Sequence, residues 1–352
     1  MRHLISIDDL TDAELRRIVD RGAEFSAGLA RRPAPLDGQV VGVYFAKTST
    51  RTRTAFSSGS LRLGGSLIAY GPGDLQLNTG ETTEDTGRVL SGMLDVLVAR
   101  TAGPEAELRG WAQQGTMSVV NAMTAEEHPT QALTDLTTLV RHFGHVDGLR
   151  ILYAGEGNNT AAALALALTR FPGVHFEVRT PPGYGLAEPI AHRARAQAAR
   201  TGATLVERHD MDGLTGGYDV IYTTRWQTTG TSKPDPDWRN VFAPFRITPA
   251  LWETSPDAVF MHDLPAHRGE EVVAEVLDGP HSIAFAQATN KMHSAMAVLE
   301  FVRTAAKAEE PAKAEESAKA EEPVTSEEPV TSEHSEESGA TPSGDRTLVA
   351  AR

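Results

Sequence analysis

Cysteine is absent from all 352 residues. That excludes disulfides, cysteine-ligated zinc, iron–sulfur clusters and a thiol nucleophile. Long apolar runs are missing as well. The longest, Ala161–Leu168, falls far short of the roughly 20 residues needed to span a bilayer. The first ten residues carry Asp8 and Asp9 and lack an apolar core, so they do not read as a signal peptide. A surplus of positive charge is lacking too. The formal net charge of −14 argues against a general grip on nucleic-acid phosphates. These absences point to a soluble cytoplasmic protein with neither nucleic acid nor membrane as a partner.

What is present is ordinary for an enzyme-sized globular chain: 40% hydrophobic and 23% charged residues. At roughly 150 residues per domain, the length suggests two domains. The C-terminal stretch differs from the rest. From Ala306 a six-residue repeat runs AKAEEP, AKAEES, AKAEEP, VTSEEP, VTSEHS. Residues 305–352 hold 12 acidic and 5 basic side chains and no aromatics. Proline or serine recurs at one phase, which disfavours a continuous helix. Such a segment buries too little apolar surface to offset its ordering entropy, so a disordered acidic tail is expected there. An interaction tail is the functional alternative.

Residues 1–304 alternate between apolar β-type runs and helix-like stretches. The runs are Gln39–Phe45, Val96–Val98, Val119–Asn121, Arg150–Ala154, His175–Arg179, Val220–Tyr222, Ala258–His262 and Ser282–Phe285. Helical stretches include Ala132–His142 and Glu188–Arg200. Short apolar strands separated by helices predict an α/β fold with two doubly wound parallel-sheet domains. We place these at residues 1–145 and 146–288, with the junction near Phe143–Asp147. A C-terminal helix over 289–304 would pack back on the first domain.

Three segments carry chemistry. In the first, the Val40–Phe45 run leads into Lys47-Thr48-Ser49-Thr50-Arg51-Thr52-Arg53-Thr54 and then a helix. Hydroxyls, guanidiniums and helix-terminal N–H groups together outline a phosphate site. The alternative is a capped helix with a solvated basic first turn. Arginine there opposes the helix dipole unless an anion compensates, which favours the site. In the second, His128-Pro129-Thr130-Gln131 puts His128 and Gln131 on the entry turn of a helix, within reach of one ligand. In the third, Met261-His262-Asp263-Leu264-Pro265-Ala266-His267-Arg268-Gly269-Glu270-Glu271 follows a strand, where open α/β sheets bind ligands. A metal site from its histidines and glutamates fits no standard zinc spacing.

Together STRTRT, HPTQALTDL and HDLPAHRGEEV resemble the phosphate loop, HPTQ and HCLP motifs of the ornithine/aspartate carbamoyltransferase family. Gly80-Glu81-Thr82 with Asp85, Thr86 and Arg88-Val89-Leu90 also fits, as does Val98-Ala99-Arg100-Thr101. The likeness covers about residues 1–303. It implies a carbamoyl phosphate domain followed by an amino-acid domain, and an enzyme that uses no metal or organic cofactor. By resemblance, Ser49, Thr50, Arg51 and Thr52 hold the phosphate of carbamoyl phosphate. Arg100, His128 and Gln131 contact its carbonyl and amide end, and Leu264 offers a backbone carbonyl to the carbamoyl NH₂. Gln76 lies in a loop that reaches a neighbouring subunit's site, which implies a homotrimer. Lys291 stands where the family has an arginine that contacts carbamoyl phosphate; it keeps the charge but loses the planar fork.

The amine end departs from ornithine carbamoyltransferases. Where they resemble DVWVSMG, this chain has Thr224-Arg225-Trp226-Gln227-Thr228-Thr229-Gly230. The aspartate that grips ornithine's α-amino group becomes Thr224, and the cysteine of HCLP becomes Asp263. Arg225 and Gln227 look more like the TRxQ string of aspartate carbamoyltransferases. Gly155-Glu156-Gly157-Asn158-Asn159 keeps the ornithine-type GDGNN pattern, with Asn159 at an ornithine contact. It lacks the third glycine of a nucleotide-binding loop, which demotes an oxidoreductase reading. Arg225 suits a carboxylate and Asp263 an ammonium. The expected acceptor is therefore a small diamino acid other than ornithine, such as 2,3-diaminopropionate. An ordinary ornithine carbamoyltransferase making citrulline is the alternative, and a silent binding protein that keeps the fold is a further one. Arg225 and Asp263 could also simply pair with each other.

Overall fold

The computed structural model describes residues 2–29, 34–228 and 231–319. Its compact unit spans Met1–Glu310. Beyond it, only the end of the last helix, to Lys319, lies among the described residues.

Two all-parallel sheets organise the chain. The first contains β1 (Val40–Phe45), β2 (Ser66–Tyr70), β3 (Val96–Arg100) and β4 (Ser118–Met123), in the order β2-β1-β3-β4. The second contains β5 (Arg150–Ala154), β6 (His175–Arg179), β7 (Thr204–Arg208), β8 (Val220–Thr223) and β9 (Val259–His262), in the order β7-β6-β5-β8-β9. The connecting helices begin with α1 (Asp12–Ala27), α2 (Arg51–Arg62), α3 (Thr83–Ser91), α4 (Glu105–Ala112) and α5 (Pro129–Phe143). They continue with α6 (Asn159–Leu168), α7 (Glu188–Thr201), α8 (Trp238–Phe242), α9 (Ala274–Leu277) and α10 (Ala284–Lys319).

Seven of the eight apolar runs form strands within a residue or two of their expected ends. β3 is buried along its whole length, as an interior parallel strand must be, and so is edge strand β4, whose outer side Leu4 covers by bridging Val120. The eighth run is a correction. Ser282 only bridges Phe260, and the residues from Ala284 open α10. Edge strands β2 (SLIAY) and β7 (TLVER) have no counterpart among the expected runs; neither holds a fully buried residue, and β7 has only two apolar residues. The last helix also differs. It begins at Ala284 and continues to Lys319, into the repeat. Alanine, lysine and glutamate are strong helix formers, and that preference outweighs the periodic breaker here. The rest of the expected tail, 320–352, lies outside the described residues.

Strand order reverses at β1/β3 in the first sheet and at β5/β8 in the second. Ligands in open parallel sheets bind outside the carboxyl ends of the strands at such points. The segments leaving β1, β3, β5 and β8 begin at Ala46, Thr101, Gly155 and Thr224. Three of the four run straight into the motifs singled out above, and β3 ends on Arg100.

Candidate functional site

One cavity of about 280 Å³ lies among these strand ends. Of the 14 residues expected in the site, every one except Gln76 lines it.

At one end sits the N-terminus of α2. Thr50 is its N-cap, at φ −83° and ψ −58°, and its side chain makes no capping hydrogen bond. The first-turn N–H groups of a helix lack partners within it, so this end favours an anion. Ser49, Thr50, Arg51 and Thr52 all line the cavity here. Arg100 reaches the same space from the end of β3 and is only 8% exposed. Burial lowers its pKa to about 10, with Asp263 pulling the other way and Arg51 adding to the fall. The guanidinium thus stays charged at neutral pH. Its Nε has no hydrogen-bond partner, and the buried Nε of Arg225 has none either. Among the described residues Arg51, Arg100 and Arg225 form no salt bridge. Three cations facing one cavity without counter-ions make an anion receptor.

The middle of the cavity belongs to α5, which is buried from Pro129 through Leu139. His128 caps it, and Pro129 takes the first helical position, where a missing N–H costs nothing. The His128 N–H donates to the Asn159 carbonyl at 3.1 Å. Burial, then Lys291 and Arg100, hold the His128 imidazole well below its usual pKa. It is therefore neutral at pH 7, a hydrogen-bond donor through one nitrogen. Lys291 enters from α10 and donates through Nζ to Gln131 Oε1. Burial lowers the pKa of that ammonium, against the attraction of Asp263 and Asp135. Gln131 Nε2 in turn donates to Asp135 Oδ1 at 2.7 Å.

Glu127, next to His128, is 1% exposed and accepts from Ser6 Oγ and the Ile7 N–H at 2.5 and 2.7 Å. Burial nevertheless pushes its carboxyl from 4.5 up to about 7. A carboxyl raised in the folded state favours folding fully only below its unfolded pKa, and that advantage fades as pH rises through the folded value. Unfolding free energy should thus fall between about pH 4.5 and 7 by up to about 3 kcal/mol from this group. Glu127→Gln should flatten that interval relative to the parent in urea titrations. Equal slopes in the two proteins would remove the assignment.

At the far end Asp263 is held from two sides. Thr224 Oγ1 donates to Oδ1 at 2.9 Å and Thr160 Oγ1 to Oδ2 at 3.0 Å. Leu264 follows at φ +48°, a strained conformation for a bulky residue. Its N–H donates to His262 Nδ1 at 2.8 Å. That leaves the proton on His262 Nε2, which faces Glu271 Oε1 at 3.2 Å and fixes the loop from below. Arg225 and Gln227 line the same end, and Gln227 Nε2 donates to the Thr231 carbonyl. Asn159 joins them, its Nδ2 committed to the Thr124 carbonyl at 2.7 Å. Among the described residues Arg225 and Asp263 do not pair, which discards that alternative. Thr229 and Gly230 lie outside the described residues.

Gln76 stands apart. It opens a short helical turn, Gln76–Thr79, and accepts from Thr79 Oγ1 away from the cavity. His267, Glu270 and Glu271 bring ligand atoms within 4.8 Å of one another. They are engaged internally, by the His262 ring and His267 N–H on Glu271 and by Arg239 on Glu270. Sequence reasoning gave no site role to Thr48 and Asn158, which lie within its motifs, and missed Met123 and Thr160 in the lining and Asp135 behind it. Asp135 lies within the HPTQALTDL string one turn after Gln131. That spacing was the available signal.

Comparison with known proteins comes to the same place. Residues 2–141 match the family model "Aspartate/ornithine carbamoyltransferase, carbamoyl-P binding domain", and 147–302 match the "Asp/Orn binding domain" of the same family. The ornithine carbamoyltransferase of Symbiobacterium thermophilum is 39% identical over 308 residues, covering 86% of this chain and 97% of the relative. That of Rhodococcus jostii is 39% identical over 315 residues, covering 88% and 99%. The solved ornithine carbamoyltransferase of Pyrococcus furiosus superimposes with a TM-score of 0.81 at 36% identity, covering 86% of this chain and 97% of the other.

Proposed function

This chain belongs to the aspartate/ornithine carbamoyltransferase family, and we propose that its cavity moves the carbamoyl group of carbamoyl phosphate onto the amine of ornithine, releasing phosphate. Carbamoyl transfer itself follows from the family. The acceptor is the finer step. A diamino acid other than ornithine, expected from the departures at 224 and 263, finds no support among the relatives compared, all of which are named for ornithine.

The observation that carries the reading is the single cavity in which three unpaired arginines face one carboxylate. The arginine end suits a phosphate dianion, and Asp263 suits an ammonium. The contact between Thr224 and Asp263 also explains how ornithine fits a changed pocket. The carboxylate that ornithine-specific relatives carry at the position of Thr224 has moved to its hydrogen-bond partner. The site keeps its negative charge and shifts it by one side chain.

The chemistry then runs on this chain's own groups. The first turn of α2 with Arg51 holds the phosphate. Neutral His128 and Arg100 surround the carbamoyl oxygen and stabilise the oxyanion that forms when the neutral amine attacks. Gln131 and the Leu264 carbonyl orient the carbamoyl nitrogen. The C–N bond forms, the C–O bond to phosphate breaks, and the departing phosphate takes the amine proton. Binding both substrates in one cleft supplies proximity. No cofactor is needed for this sequence of steps. We extend the proposal to a homotrimer in which Gln76 serves a neighbouring site; a monomeric mass in solution would remove that extension.

Steady-state kinetics with carbamoyl phosphate and a panel of ornithine, 2,3-diaminopropionate, lysine and aspartate tests the acceptor. Ornithine should give the highest kcat/KM. A shorter diamine preferred by tenfold or more would restore the other reading, since about 1.4 kcal/mol corresponds to that factor.

A further inference from the structure

Behind the cavity, a buried polar hub gathers groups from three elements onto Asp135. Gln131 Nε2 donates to its Oδ1 at 2.7 Å, Gln287 Nε2 to the same oxygen at 2.6 Å, and the Tyr222 hydroxyl to Oδ2 at 3.1 Å. Asp135 and Gln131 are each 1% exposed, Gln287 1% and Tyr222 2%. Asp135 and Gln131 sit on α5, Tyr222 on β8 and Gln287 on α10. None of these contacts touches the cavity except through Gln131.

The hub removes the ambiguity of a glutamine amide. Asp135 Oδ1 accepts from the NH₂ of both glutamines, and an ammonium only donates hydrogen bonds. Asp135 therefore takes the NH₂ of Gln131, and Lys291 takes its carbonyl oxygen. A carbonyl oxygen has two lone pairs, so one remains for a ligand after Lys291 has used the other.

We propose that Asp135 is a positioning residue for substrate selection: by holding the NH₂ of the Gln131 amide it keeps the amide oxygen as the acceptor for the ligand, so that the site selects an acyl phosphate bearing an NH₂ over one bearing a methyl group in the same place. The inference rests on the reading of the cavity as a carbamoyl phosphate site. Acetyl phosphate is the discriminating probe, since it matches carbamoyl phosphate in shape and charge but has CH₃ for NH₂. Against a fixed acceptor that methyl leaves a buried lone pair unpaired, which costs affinity.

The full-length chain is titrated calorimetrically with each phosphate, so the result does not depend on turnover. The parent should bind carbamoyl phosphate at least about tenfold more tightly than acetyl phosphate. Asp135→Asn offers an amide that pairs with Gln131 in either orientation and frees it to flip; the preference should drop to about threefold or less. A merely structural role would weaken both ligands together and leave the ratio unchanged, which would overturn the proposal. If Asp135→Asn does not fold, Tyr222→Phe carries the test, because it removes one anchor of the carboxylate and leaves the acceptor that holds Gln131 in place. A reduced ratio supports the proposal and an unchanged one overturns it. A parent that binds both phosphates equally also overturns it, while product formation from carbamoyl phosphate separately decides the functional reading.

Discussion

Arg51→Ala lowers kcat/KM for carbamoyl phosphate by about 100- to 1,000-fold, whichever amine is supplied. The magnitude follows from removing a preorganised cation from a site where negative charge accumulates on the departing phosphate, worth about 3–4 kcal/mol. Arg51 opens α2 after an N-cap that makes no side-chain hydrogen bond, and the attractive charge acting on it is Asp263. It makes no salt bridge among the described residues, so its removal strands no buried partner. The urea midpoint should change little. Arg51→Lys should recover only part of the loss, because an ammonium lacks the planar fork that meets two phosphate oxygens at once. Pre-steady-state and steady-state rates with ornithine and with one other amine check this. A loss confined to a single amine would mean that Arg51 belongs to the acceptor end.

Asp263→Asn should separate the two substrates. The amide keeps the shape and the contacts to Thr160 and Thr224 but removes the charge that holds an ammonium. A hydrogen bond to a charged group contributes about 2 kcal/mol, so kcat/KM for the amine should fall roughly 30-fold. Carbamoyl phosphate should respond in the opposite sense. Asp263 is the attractive charge acting on Arg51, Arg100 and Lys291, and it competes with the phosphate for them. Removing it should leave the KM for carbamoyl phosphate unchanged or lower it. Asp263→Cys combined with Thr224→Asp, which moves the carboxylate back across the 2.9 Å contact, should recover much of the amine affinity. If Asp263→Asn weakens both substrates alike, the division between a phosphate end and an amine end is wrong.

How much of this was legible in the sequence depends on whether a feature is local. Interior strands such as β3 and β5 announce themselves, because burial on both faces demands an unbroken apolar run. Edge strand β7 does not, since TLVER holds only two apolar residues, while the apolar run of SLIAY in β2 was legible and was passed over. Ser282–Phe285 shows the reverse failure: a short apolar run reads equally well as a strand or as the buried start of a helix. Site residues were legible where a motif sits on a strand end or helix start, as at Arg51, His128 and Asp263. What escaped were partners set by tertiary contact. Thr160 meets Asp263 from the start of α6, and Tyr222 and Gln287 reach Asp135 from β8 and α10. Nothing in the spacing of those residues marks them. The acceptor reads differently in the fold for a related reason. Thr224 and Asp263 read as two separate losses along the chain, whereas in the fold they are one hydrogen-bonded pair that holds a single carboxylate.

The central claim is carbamoyl transfer to an amine, and mass spectrometry of the reaction with carbamoyl phosphate and ornithine tests it most directly. The expected result is an ornithine product heavier by a carbamoyl group in place of one hydrogen, formed in equal amount with phosphate and lost in Arg51→Ala. Carbamoyl phosphate left unconsumed with every amine of the panel, beyond its spontaneous decay, would contradict the account.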